Sequence, residues 1–248
     1  MSELTLTKHH GLGNDFLVAF VDDVPDGGAD LARRWCHRTR GIGADGLIFA
    51  TPATSSDTDL TMTLFNADGS EAEISGNGIR CLAQAARLAG HTGDEVAVAT
   101  AGGVRRLVCR HTEGDTAQIE VAMGPVTTGP PLADADDLAR PGFVILEAAT
   151  GDVGNPHVVL LVDDLAAVDV SIDGPAIESH WKPSGINVHF VVVTGQHELA
   201  VKHWERGAGV TEACGSGATV AATIAICKVE ADTLFWPRAD WASTGLSP

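Results

Sequence analysis

Two stretches, AEISGNGIRCLAQAA at Ala72–Ala86 and TEACGSGATVAATIA at Thr211–Ala225, can be laid over each other residue by residue. In each, a small nucleophilic residue precedes Gly-x-Gly and an Ala-rich, helix-forming segment follows. The first has Ser75 in that slot and the second has Cys214. Glycines let a backbone approach a ligand closely, and the first-turn N–H groups of a helix lack intrahelical partners. Together with the positive end of the helix dipole they form a carboxylate or phosphate site. Two such ends predict a chain built twice around one anionic ligand.

The repeat extends outward from this pair. Asn14 in GLGNDF and Asn155 in VGNPH both sit in a Gly-Asn step. Gly46 in GIGADG follows Asn14 by the same interval that separates Asn187 in SGINVHF from Asn155. Asn66 precedes Ser75 by the interval that separates Glu205 from Cys214. Gly-rich loops resemble one another, so any single pair carries little; the shared order and spacing carry the duplication. Two similar halves place the expected ligand site in the cleft between them.

The alternation in LTLTK, TMTLFN, EVAVAT, QIEVAM, HVVLLV and NVHFVVV reads as strands. DLARRWCHRTR, GIRCLAQAARLAG and ATVAATIAI read as helices, with Gly90 stopping the second. Sparse helices among many short strands predict an α+β fold. A Pro- and Asp-rich segment, GPVTTGPPLADADDLARPG, reads as a linker. The expected halves are residues 1–124, carrying Ser75, and 125–248, carrying Cys214.

Composition bounds the partners. The 248 residues carry 16 basic and 33 acidic side chains, a net charge of −17, which argues against nucleic acid and against an anionic membrane surface. No apolar run is long enough to span a bilayer, and MSELTLTKHH has no signal-peptide core. Five scattered cysteines without a Cys-x-x-Cys pair argue against a disulfide framework or a metal site and fit a reducing cytoplasm. A small anionic ligand remains compatible, provided local donors override the global field.

A cysteine at a helix N-terminus has its thiolate stabilised, which makes Cys214 a candidate base beside a bound carboxylate. Removing a proton α to that carboxylate builds charge that preorganised N–H donors stabilise. Inversion then needs a second proton carrier on the opposite face. Paired helix ends therefore suit a racemase or epimerase. No nicotinamide, flavin or pyridoxal motif is apparent, and GLGNDF is too short for a dinucleotide fingerprint.

HGLGNDF, GIGADG, FNADGSEAE-x-SGNG-x-RC, VGNPH, ERGAG and ACGSGA, in this order, resemble the diaminopimelate epimerase family over about residues 8–225. The resemblance implies two pseudo-symmetric domains, each a mixed or antiparallel barrel-like sheet around a central helix, commonly assembled as a homodimer. It implies conversion of a small diamino-dicarboxylate, LL-2,6-diaminopimelate, to its meso isomer without cofactor, supplying lysine and peptidoglycan. By the same resemblance Cys214 matches one catalytic cysteine and Ser75 takes the place of the other. Gly76, Asn77, Gly215 and Ser216 match the N–H cradle. Asn14, Asn66, Asn155 and Asn187 match substrate-contacting asparagines. Glu205 and Arg206 match the pair at the distal amino-acid end, and His157 and Glu205 match groups assisting the thiols. Gly46 stands where some members have a glutamine. Cys36, Cys81, Cys109 and Cys227 read as structural.

Two departures stand out. A serine hydroxyl carries essentially no alkoxide at neutral pH. Ser75 could relay a proton in a slow epimerase, Cys214 could act alone in a one-base lyase or dehydratase, or the protein could bind without reacting. The tail, KVEADTLFWPRADWASTGLSP, lacks the strands with which family members usually continue, and a lower stability is expected from it.

Overall fold

The computed structural model describes residues 4–195 and 197–233. Its elements run β1 (Thr7–Gly11), β2 (Asn14–Phe20), α1 (Gly28–Trp35), β3 (Gly46–Pro52), β4 (Leu60–Asn66), β5 (Glu71–Ala72) and α2 (Gly76–Leu88). Next come β6 (Glu95–Thr100), β7 (Gly103–Glu113), β8 (Thr116–Ala122), β9 (Thr127–Thr128) and α3 (Ala135–Leu138). The chain continues with β10 (Ile145–Asp152), β11 (Pro156–Val162), α4 (Val170–Glu178), β12 (Asn187–Gly195), β13 (Glu198–Trp204) and α5 (Gly215–Thr233). The described residues form two compact units, 4–124 with 207–216, and 125–195 and 197–206 with 217–233. The segment holding Cys214 thus belongs to the same unit as Ser75.

In the first unit the sheet order is β1-β2-β3-β4-β6-β7-β8, with β5 beside β4. The β2/β3 and β4/β6 pairs are parallel and the rest antiparallel. Helix α2 touches β1 and β2 at one end of this order and β7 and β8 at the other, so the sheet curls around it. Polar tips reinforce both sides of the helix. Gln84 meets His9 Nδ1 on β1 at 3.0 Å and donates to the Asp115 carbonyl at 2.7 Å, while Arg80 Nε donates to the Ile119 carbonyl of β8 at 3.0 Å.

The two faces of β2 and β3 explain their composition. Phe16, Val18, Ile48 and Ala50 pack with Ile79, Leu82 and Ala86 of α2. Leu17, Ala19, Leu47 and Phe49 pack on the other face with Ala32 of α1. A strand covered on both sides has no polar alternation to show. Helix α2 ends as its sequence predicts: Gly90 has φ 76°, its N–H bonds the Arg87 carbonyl, and the His91 N–H bonds that of Ala86, a Schellman pair.

The second unit repeats the arrangement in the order β9-β10-β11-β12-β13, with β11/β12 parallel. Phe16 lies opposite Gly46 in the first parallel pair, and His157 lies opposite Asn187 in the second. These partners are offset equally along the chain, so the spacing repeat of the sequence is a repeat of strand register. Val158, Leu160, Val188 and Phe190 pack with Ile177 of α4 and with Trp181. The fold is α+β, as expected.

Some expectations shift locally. The helix expected over DLARRWCHRTR ends at Trp35, because the chain folds back on it: Ile42 and Gly43 N–H groups both reach the Trp35 carbonyl. A Cβ on Gly41 would collide with the backbone carbonyl of Arg34, which forces glycine at that return. The strand expected in LTLTK begins at Thr7, set by a two-residue hairpin turn in which Leu12 and Gly13 have φ of 53° and 79°. The segment read as a linker carries β9 and α3, and Thr127 and Thr128 pair with Asp152 and Gly151 of β10. Lys228–Thr233 continue α5, while the rest of the tail, with Trp236 and Trp241, lies outside the described residues. Among the described residues no helix is long and apolar enough to cross a membrane.

Candidate active site

Ser75 is extended (φ −131°, ψ 123°) and caps α2, its Oγ accepting the Gly78 N–H at 3.0 Å. Its hydroxyl proton is not consumed by that bond. The neighbouring helix start lies alongside. A Cβ built on Gly76 would stand 3.6 Å from both the Gly215 Cα and the Ser216 N. At Gly215 a Cβ would crowd the Arg80 side chain, 3.2 Å from its Nη1, whereas at Gly76 it would meet only ordinary contacts. Arg80 Nη1 in turn donates to the Gly76 carbonyl at 2.8 Å.

Two like helix poles side by side are unfavourable unless something negative neutralises them. Neither α2 nor α5 has an acidic residue in its first turn, and the nearby Arg80 guanidinium adds positive charge. Burial pulls the Arg80 pKa below its ordinary value, as expected for a cation held off solvent. An external carboxylate suits this place.

Asparagines hold the helix starts together. Asn77 Nδ2 donates to the Ala213 carbonyl at 2.8 Å, directly before Cys214, and lies 3.5 Å from Asn14 Oδ1. Asn14 Nδ2 donates to Asp45 Oδ2 at 2.8 Å. Asp45 also accepts from the Asp15 N–H and from Arg38, which forks onto Asp15 at 2.8 and 3.2 Å. Burial alone would raise the Asp15 carboxyl, but Arg38 and Lys8 outweigh it and hold it well below the usual carboxylate range. Cys214 is buried, with Sγ 3.5 Å from Ser216 Oγ.

Gly46 opens β3 and offers backbone only; a Cβ there would press on the Phe65 carbonyl oxygen at 3.0 Å. Asn66 ends β4, donates to Ser70 Oγ at 3.0 Å, and faces the Gly207 backbone, where a Cβ would come within 2.8 Å of its Nδ2.

The remaining expected residues lie in the second unit. His157 is wholly buried, with Nε2 2.8 Å from Asn155 Oδ1 and Nδ1 2.9 Å from His189 Nε2. Burial, helped by the Arg206 charge, pushes its pKa down to about 3, so the ring is neutral at pH 7. Asn187 uses both ends of its amide, donating to the Pro156 carbonyl at 2.9 Å and accepting the Arg206 N–H at 3.1 Å. Arg206 Nη1 donates to the Ser184 carbonyl at 2.9 Å, and Glu205 lies 3.9 Å from His203 Nε2. Among the described residues no His, Cys, Asp and Glu cluster could hold a metal ion.

A family model described as diaminopimelate epimerase matches residues 6–129 and 150–234. The chain belongs to the diaminopimelate epimerase family. It is 42% identical to the diaminopimelate epimerase of Moorella thermoacetica, over 87% of this chain and 81% of that one. To the diaminopimelate epimerase of Synechococcus elongatus it is 39% identical, over 92% and 85%. Solved structures give the same fold at low identity. A probable proline racemase from Agrobacterium radiobacter matches at a TM-score of 0.66 and 17% identity, over 91% of this chain and 78% of that one. A hydroxyproline epimerase from Agrobacterium vitis matches at 0.63 and 17%, with the same coverage.

Four neighbours of the site were not anticipated from the sequence. Asp45, Arg38 and Arg80 lie in or beside the diaminopimelate epimerase motifs, but their value comes from what they touch. His189 gave one local signal, a lone imidazole in the apolar run NVHFVVV.

Proposed function

We propose that this chain interconverts LL- and meso-2,6-diaminopimelate by breaking and remaking one Cα–H bond, without a cofactor. Cys214 works on one face of the α-carbon and Ser75 on the other. In one turnover the Cys214 thiolate takes the proton from Cα and becomes a thiol, the carbanion takes a proton from the Ser75 hydroxyl, and water carries the thiol's proton back to the Ser75 oxygen to restore both groups. The amides of Gly76, Asn77, Gly215 and Ser216 hold the reacting carboxylate, where charge grows in the transition state. Asn14, Asn66, Asn155, Asn187, Glu205 and Arg206 contact the rest of the diamino-dicarboxylate, with the Arg206 fork on its distal carboxylate. Glu205 acts behind the proton carriers, His157 acts through Asn155, to which its Nε2 is bonded, and Gly46 lends the site backbone only.

One observation supports this reading most: the starts of α2 and α5, capped at Ser75 and preceded by Cys214, lie side by side without an acidic residue of their own. The product feeds lysine and peptidoglycan synthesis, in the cytoplasm, and the enzyme works as a homodimer. The test is to incubate the protein with LL-diaminopimelate in deuterated water. Deuterium at Cα together with the meso isomer is the expected result. Deuterium with retained configuration would instead make the protein a one-sided catalyst.

A further inference from the structure

In the first unit, the register positions that match His157 and His189 are the apolar Phe16 and Ile48, packed beneath α2. The second unit places two fully buried imidazoles there. Burying polar rings is unfavourable unless their hydrogen bonds are made, so the direction of each bond between them bears on stability.

Asn155, His157 and His189 form a row with contacts of 2.8 and 2.9 Å. With neutral rings, protons can run along it in two directions. In one, Asn155 donates to His157, His157 donates to His189, and His189 Nδ1 must carry a proton. In the other, His189 Nε2–H donates to His157 Nδ1, and His157 Nε2–H donates to Asn155 Oδ1. His189 Nδ1 is buried without a hydrogen-bond partner among the described residues. An orphaned buried N–H is rarer and costlier than an idle lone pair. The second direction is therefore selected, and it leaves the Asn155 NH2 as the end available to a ligand.

We infer that His189 is a positioning residue: its Nε2–H fixes His157 with the proton on Nε2, and so fixes Asn155 with its amide N–H groups presented to a substrate carboxylate. The ring is also the seat of α5. A Cβ on Gly217, three residues after Cys214, would fall within the His189 ring. What Asn155 faces rests on the function proposed above; the proton arrangement does not.

The test has two arms. Full-length protein labelled with 15N-histidine is studied by long-range 1H–15N spectra at neutral pH, with His157 assigned by its loss in His157→Gln. The expected spectrum has His157 protonated on Nε2, with Nδ1 an accepting nitrogen. A proton on Nδ1 overturns the inference, whatever the enzyme catalyses. In the kinetic arm, His189→Phe keeps a ring against Gly217 but removes the donor. Its KM for LL-diaminopimelate is expected to rise about tenfold, the worth of one hydrogen bond, with kcat within about twofold. His189→Gln, which retains an N–H donor, is expected to recover most of the loss. A folded His189→Phe with unchanged KM overturns the inference. Should His189→Phe fail to fold, the wild-type spectrum and His189→Gln decide. A wild-type protein inert towards LL-diaminopimelate but showing the expected spectrum sinks the proposed function and upholds the positioning role.

Discussion

Asn77, in the first turn of α2, donates its side-chain amide to the backbone carbonyl of Ala213, 2.8 Å away and 136 positions further along the chain. That bond ties the helix capped by Ser75 to the residue preceding Cys214. Removing it leaves a part-buried carbonyl without this donor. Asn77→Ala is expected to lower stability by about 1–2 kcal/mol. It should also reduce kcat/KM for LL-diaminopimelate by about 10–100-fold, because small displacements at a reacting centre are expensive. A denaturant melt and steady-state kinetics check both.

Glycines at the two helix starts should respond differently to alanine. A Cβ on Gly76 meets its nearest neighbours at 3.5–3.6 Å, an ordinary contact distance. Gly76→Ala should therefore melt within about 0.5 kcal/mol of wild type. The added methyl enters the space between the helix starts, so substrate binding should weaken at least tenfold. In Gly217→Ala the methyl meets the His189 ring. A loss of about 3 kcal/mol is expected there from overpacking. Melting temperatures and substrate titrations of the pair separate the two effects.

Acid should destabilise the fold in a window set by histidine. His157 is pushed from 6.5 down to about 3, first by burial and then by Arg206, and burial also lowers His189. The unfolded chain therefore binds more protons than the folded one below pH 6.5. Stability is fully present above that value and falls as pH drops towards 3, by about 1.4 kcal/mol per pH unit for each such ring. Asp15, held low by Arg38 and Lys8 against its burial, contributes a loss only below its ordinary 3.8. Denaturant midpoints between pH 7 and pH 4.5 should decline, and His157→Gln should flatten the slope.

The parts of the molecule legible in its sequence were those with a local cause. Ser75, Gly76, Cys214 and Gly215 announce themselves through a nucleophile beside glycine at a helix start. The equal Asn14–Gly46 and Asn155–Asn187 intervals foreshadow the matched parallel registers. Strands β2 and β3 escaped because Phe16 and Val18 feed one core while Leu17 and Ala19 feed another, so no period of two survives. Arg80 and Asp45 matter through neighbours far along the chain, Gly215 for one and Asn14 for the other, which local pattern cannot supply. His189 reads as an oddity in an apolar strand until its contact with His157 is known.

The side-by-side helix starts are tested most directly by giving them matching thiols. In Ser75→Cys the weaker cap should cost about 0.5–1 kcal/mol of stability. The rate of LL-to-meso conversion should nevertheless rise about 100-fold, because a thiol can both take and return the proton that a hydroxyl can only relay slowly. A correctly folded Ser75→Cys protein that converts LL-diaminopimelate no faster than wild type would contradict the pairing of Ser75 with Cys214.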